Sequence, residues 1–210
     1  MKTVKSKIET ELIASDDGKY TYEVIKRLEG VEGECGYLIS LYPTRTEGNI
    51  HANDSTLNHL ICHMQELGFN ELHLINLFSI VVSGKLSTRG LQIDSENMRY
   101  IEALMNDKKF QSSKFIIAWG NSLSTSHTVQ QSKTEIFKLF KKYCPKNKLY
   151  QLTAIGRAIE SNVSPHPLYL GIRAGESTWG LQEFKLTSKM LKAHETENVS
   201  SEILITDKKK

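Results

Sequence analysis

Four short segments carry the side chains best suited to chemistry. They are Leu41-Tyr42-Pro43-Thr44, Ile75-Asn76-Leu77-Phe78, Ala118-Trp119-Gly120-Asn121 and Ser164-Pro165-His166-Pro167-Leu168. Asn76 ends an otherwise apolar run. A buried carboxamide there must find partners, either in a neighbouring loop or in a ligand that reads both its donor and its acceptor. His166 stands between two prolines that stiffen its backbone. It is either a turn histidine or an imidazole held to donate toward developing negative charge. Tyr42 precedes Pro43, which favours an extended backbone. Its ring either caps the core or forms the floor or plug of a pocket. Asp54 is the nearest carboxylate after the first loop, and serves either as a helix cap or as an acid group at the site. No nucleophile elbow with a Ser/His/Asp set and no phosphate-binding glycine loop appears.

Three of these segments follow or end short apolar runs. That is where open α/β sheets place ligands, at the carboxyl ends of parallel strands. The runs are 36–41, 71–78, 114–119 and 149–152, with Leu38, Leu74, Ile117 and Leu149 as central residues. Helical spacing covers 56–67, 95–105 and 126–143, and Asp54 or Ser55 is placed to cap the first. Residues 20–28 alternate as a strand with one wet face, and residues 8–13 show a weak helical pattern. Residues 153–170 read as irregular. The expectation is one α/β domain with a central four-stranded, mainly parallel sheet flanked by helices. Residues 1–19 form a polar leader to it, 20–175 the domain, and 176–210 an extension with a lysine-rich tail.

Hydrophobic residues make up 39% of the 210, enough for a core. No apolar run reaches the roughly 20 residues that span a bilayer, and the polar start lacks a signal-peptide pattern. A cytoplasmic protein without membrane contact is expected. Cys35, Cys62 and Cys144 are too sparse for a disulfide framework. Cys62 between His59 and His63 lacks further metal-ligand spacing, so no metal and no cofactor is expected. The net charge of +3 equals the contribution of Lys208, Lys209 and Lys210, leaving a formally neutral body. Non-specific DNA binding draws on phosphate neutralisation by Lys and Arg, so DNA affinity should be weak.

Taken in order, the motifs resemble the bacterial family called domain of unknown function 1643. The matching residues are Leu41 to Arg45, Asp54-Ser55-Thr56, Asn76-Leu77-Phe78, Trp119-Gly120 and His166 to Leu170. That family is in turn similar to the uracil-DNA glycosylase superfamily, which implies a glycosylase-like fold and a site at Tyr42, Pro43, Arg45, Asn76, Trp119, Gly120 and His166. It implies a pocket-floor role for Tyr42, base reading for Asn76 and an oxyanion-side donor role for His166. Glycosylases carry a water-activating Asp or Asn where this chain has Tyr42. A phenol with pKa near 10 is a poor water activator. The resemblance therefore implies a glycosylase-like pseudoenzyme that binds rather than cuts. Its partners would be an acidic DNA-mimicking glycosylase-inhibitor protein or, weakly, DNA. The alternative is an active DNA glycosylase or nucleotide-processing enzyme in which Asp54 or His166 replaces the missing group.

Overall fold

Leu38, Ile39, Ile75, Ile116 and Ile117 are wholly buried, because their strands are covered on both faces. The computed structural model describes residues 1–44, 48, 50–157, 159–160 and 162–192. Its elements run β1 (Ile8–Ala14), β2 (Thr21–Leu28), β3 (Glu34–Ser40), α1 (Ser55–His63), β4 (Phe69–Asn76), α2 (Ser95–Asn106), α3 (Lys108–Gln111), β5 (Lys114–Ile117), α4 (His127–Tyr143), β6 (Leu149–Ala154), α5 (Pro167–Ala174), β7 (Trp179–Glu183) and α6 (Ser188–Lys192).

All seven strands form one sheet in the order β1-β2-β4-β3-β5-β6-β7. This corrects the expected four-stranded, mainly parallel sheet. The four expected strands do lie side by side, with parallel pairing of β4 to β3, β3 to β5 and β5 to β6. Antiparallel strands extend both edges: β2 and β1 beyond β4, and β7 beyond β6. The result is a mixed sheet. Residues 8–14 form a strand rather than a helical turn because cross-strand pairs reward it. Arg27 Nη1 lies 2.8 Å from Glu11 Oε2, and Lys26 Nζ donates to Thr10 Oγ1 at 2.8 Å. Residues 179–183 join β6 through Trp179, whose ring stacks on His63 at 4.1 Å and whose Nε1 donates to the Ala174 carbonyl.

Two cores fill the faces. One packs Ile39, Ile75, Phe115 and Ile117 against α2, α3 and α4 through Ile101, Phe110, Ile136 and Phe140. The other packs Leu38, Leu74, Ile116 and Leu152 against α1 and α5 through Leu57, Leu60, Leu170 and Ala174. α5 reaches α1 closely because Gly171 faces the His59 ring, where a Cβ would come within 2.3 Å of ring atoms. Among the described residues no helix is long and apolar enough to cross a membrane.

One charged network is built into the first core. His73 on β4 donates from Nδ1 to Glu23 Oε1 at 2.7 Å and from Nε2 to Glu71 Oε1 at 3.1 Å. Tyr100 donates to Glu23 Oε2 at 2.6 Å, and Tyr37 stacks on the imidazole at 4.2 Å. Burial alone would lower the imidazole pKa; hydrogen bonds with Cys35 and Glu23 outweigh it and hold His73 up at about 9. The unfolded imidazole releases its proton near its ordinary 6.5. Its contribution is therefore full below that value and lost as pH rises through the folded value. Stability should fall between pH 6.5 and about 8. Above about 8, desolvated Lys133 opposes the trend, since it sheds its proton earlier in the folded state. His73→Gln should flatten the slope and cost about 3–5 kcal/mol by leaving Glu23 buried without its cation. Urea midpoints at the two pH values check both; a wild-type midpoint unchanged between them would refute the charge assignment.

Candidate functional site

The parallel strands end level with one another, and that alignment builds the site. Ser40, the last residue of β3, pairs in register with Asn76, the last residue of β4. The ladder continues past both, with Leu77 N donating to the Ser40 carbonyl at 3.0 Å and Phe78 N to the Leu41 carbonyl at 3.1 Å. The α2 N-terminus pins the far side of the turn. Asn97 Nδ2 donates to the Asn76 and Leu77 carbonyls, while Asp94 caps α2 and accepts from Ser79 N and Oγ. Asn97 Oδ1 is left buried without a partner among the described residues.

The fourth segment arrives through a loop whose backbone is held by a side chain. Gln151 on β6 is wholly buried and uses both ends of its carboxamide. It donates to the Glu160 carbonyl at 2.5 Å and accepts from Ser164 N at 3.1 Å. Ser164 turns through φ +50°, and its carbonyl accepts from Gly120 N at 2.9 Å. Gly120 has φ +66°, and a Cβ there would lie 3.0 Å from the His166 Cβ. Glycine at 120 thus meets both a left-handed backbone and a close approach.

His166 is the N-cap of α5. Its Nδ1 accepts from Leu168 N at 3.2 Å, and its Nε2 lies 3.0 Å from Ser40 Oγ. An acceptor at Nδ1 places the proton of the neutral ring on Nε2, which then donates to Ser40. The serine hydroxyl keeps its own proton to give elsewhere. Burial lowers the His166 pKa below the ordinary imidazole value, and Asp54 offsets this only in part. The ring is uncharged at neutral pH.

These residues line one cleft of about 260 Å³. Its polar groups include Ser40, Asn76, His166, Thr44 and Asp54, with Thr56 and Ser122; Leu41, Tyr42, Trp119 and Leu168 supply apolar and aromatic surface. Asn76 is 2% exposed, and its carboxamide makes no hydrogen bond with a described residue. Tyr42 donates from its hydroxyl to the Gly84 carbonyl at 3.3 Å, and Val82 N donates to the Pro43 carbonyl at 3.1 Å. The tyrosine and the 80–84 segment therefore close one side. Asp54 caps α1 by accepting from Leu57 N at 2.8 Å, and its other oxygen accepts from Thr44 Oγ1. No lysine or arginine is among the described lining residues.

The cleft thus brings together Tyr42, Pro43, Asp54, Asn76, Trp119 and His166 from the expected set. Gly120 supports the histidine loop from behind. Arg45 lies outside the described residues. Ser40 was not singled out in the sequence, where it is one polar residue inside an apolar run. Its only signal is the penultimate position before Tyr42-Pro43. Trp119 is 4% exposed and packs edge-on against Phe137, so most of its ring belongs to the core.

Among the described residues one other group has metal-ligand chemistry. Donor atoms of Cys35, Glu71 and His73 lie within 4.8 Å of one another. Glu71 Oε1 already accepts from Arg27 Nε and Lys109 Nζ, at 2.8 and 3.0 Å, besides His73. The group is satisfied as an ion network, and Cys35 sits at the opposite end of β3 from the cleft.

A family model described as protein of unknown function, DUF1643, matches residues 26–168, more than half of the chain. The chain belongs to this family. The match runs from β2 to the first turn of α5 and so spans every strand end that builds the cleft. No curated protein and no solved structure matches. The likeness to uracil-DNA glycosylases accordingly rests on the sequence motifs alone.

Gly120→Ala tests the support of the histidine loop. It should cost about 1–2 kcal/mol for the left-handed backbone alone. It should also shift the His166 ring resonances as the new methyl displaces the loop. An unchanged denaturation midpoint with unchanged imidazole signals would refute the close approach. In the wild type, nitrogen NMR at pH 7 should show His166 neutral with its proton on Nε2.

Proposed function

We propose that the cleft binds a nucleobase, or a planar heterocycle with the same amide edge, and does not cleave it from its sugar. The observation that carries this reading is Asn76. Its buried carboxamide faces a space of about 260 Å³ with no protein partner among the described residues. A carboxamide that opens only onto such a space, with no protein partner, is free to exchange water for the polar edge of a ligand. A carboxamide pairs in two directions with a base edge, donor to carbonyl and acceptor from ring N–H. Tyr42 and Trp119 offer aromatic surface beside it, and the neutral His166 with Ser40 supplies donors on another side.

The same geometry argues against hydrolysis. Both Asp54 oxygens already accept hydrogen bonds, from Leu57 N and from Thr44. No other carboxylate lines the cleft among the described residues. The Tyr42 hydroxyl donates to Gly84 and is in any case too weak a base at neutral pH. On the glycosylase resemblance the chain is a binding pseudoenzyme. The macromolecular partners of that reading are an acidic DNA-mimicking inhibitor protein and DNA. A formally neutral body gives DNA binding a shallow salt dependence.

Calorimetric or NMR titration with uracil, with the other bases and with a uracil-containing single strand tests the reading. Asn76→Ala should weaken base binding by about 10- to 100-fold, the value of one buried hydrogen-bonding group. Release of free uracil from uracil-containing DNA should stay at background. No binding of any base, or equal binding by the alanine variant, would sink the base-reading role. Robust uracil release that disappears in His166→Ala would replace binding by catalysis.

A further inference from the structure

Lys133 is a buried cation whose surroundings ask for something the described residues do not supply. It lies on α4, two turns from the N-cap, and is 8% exposed. Its stem runs through the core, and its Nζ stands 5.2 Å from the centre of the Trp119 ring. No carboxylate pairs with it, and no hydrogen-bond acceptor meets it among the described residues. Its ammonium is not sealed in, because it borders a cavity of about 320 Å³ between α4, the 119–124 turn, the 162–164 loop and α6. This cavity shares only Trp119 with the cleft described above.

The rest of the lining decides what could fill it. Asn121, Ser124 and Asn162 stand at the rim with polar side chains. Gln130 is committed through Nε2 to the Ser124 carbonyl at 2.8 Å, and Thr134 donates to the Met190 carbonyl at 3.1 Å. Phe137, Val163 and Phe184 make the remaining wall apolar. The described lining holds one cation and no acid. A cationic or amine ligand would meet like charge there. An apolar ligand would leave the ammonium further desolvated.

We propose that this cavity is an oxyanion site, in which Lys133 receives the phosphate or carboxylate group of a small ligand. Burying an unpaired ammonium is costly, and a cation–π contact offsets only part of that cost. An oxyanion against Nζ adds a charge-assisted hydrogen bond in a low-dielectric setting, where such bonds are strongest. The asparagine amides at the rim can donate to its outer oxygens. Burial alone pulls the Lys133 pKa down to about 8, with no charged neighbour contributing. The proposal is independent of the base-binding reading, since neither Asn76 nor His166 touches this cavity's function.

The test follows Lys133 itself. The wild-type protein, labelled at lysine, is titrated with pH by NMR in chloride, acetate and inorganic phosphate at equal ionic strength. Binding of an oxyanion should raise the Lys133 pKa by about one unit, a tenfold preference for the charged amine. A shift in phosphate alone assigns a phosphate group, a shift in acetate alone a carboxylate, and a shift in both an unselective oxyanion site. Calorimetry with phosphate or acetate, whichever shifts Lys133, should show at least tenfold weaker binding by Lys133→Met, which keeps the stem, and recovery in Lys133→Arg, which keeps the charge. A Lys133 titration that is the same in all three salts would overturn the proposal. So would binding to the methionine variant as tight as to wild type.

Discussion

His166 Nε2 meets Ser40 Oγ at 3.0 Å across 126 residues of chain, and the geometry of the cleft depends on that contact. Ser40 is fixed by parallel ladders on both sides of β3. The histidine has no ladder. It is placed by a relay of polar groups that each satisfy a backbone atom a loop cannot satisfy itself. Gln151 holds the Glu160 carbonyl and Ser164 N, Ser164 holds Gly120 N, and Gly120 admits the His166 Cβ. Pro165 and Pro167 remove conformations and donors on either side. Once the ring is set, Leu168 N fixes its tautomer and α5 begins. A neutral donor histidine is thus the product of the loop's hydrogen bonding as much as of its own burial.

The strands that build the cleft were legible because apolar runs bounded by polar turns have few other uses. β3, β4, β5 and β6 each overlap one of the runs read from sequence, with ends shifted by one or two residues, and Asp54 caps α1 as expected. The edge strands were not legible. In β1, Glu9 and Glu11 alternate with half-exposed residues, and its stability comes from Lys26 and Arg27 on β2, which no local window contains. β7 depends likewise on Trp179 finding His63 and Ala174. α5 was hidden because Pro165-His166-Pro167 reads as a break. The second proline stands at the first helical position, where its missing N–H costs nothing. Among site residues, Asn76 and His166 announced themselves as polar groups in rigid or apolar settings. Ser40 did not, since a serine at a strand end is common and its role comes from a partner far along the chain.

Of the buried basic side chains among the described residues, His73 and Lys133 make an informative contrast. His73 is met by Glu23 and Glu71, with Tyr100, Arg27 and Lys109 completing the network, and its charge is held in place up to about 9. Such a network needs nothing from outside. Among the described residues Lys133 meets only an aromatic face, and burial disfavours its charge. The fold thus holds a buried charge on β4 that is paired and one on α4 that has no charged partner among the described residues. The paired one lies mid-strand on β4, beside Tyr37 of β3. The unpaired one lies near the carboxyl ends of the parallel strands, where α/β sheets hold their ligands.

Trp119 is the wall between the two spaces, one face of its environment formed by the cleft and the other by the lysine cavity. It is also a core residue against Phe137, so removing it would disturb packing, the cleft and the ammonium together. A loss of ligand binding after its truncation would say little about either site. Asn76 and Lys133 are separable where Trp119 is not. Each presents one polar group to one space, and neither supports the other's backbone. Whether the two spaces serve one ligand or two is then a question of linkage. If uracil and an oxyanion bind independently, the affinity for each is the same with the other present. If they are parts of one molecule, a nucleotide binds more tightly than either fragment, and loss of Asn76 or Lys133 alone removes the gain.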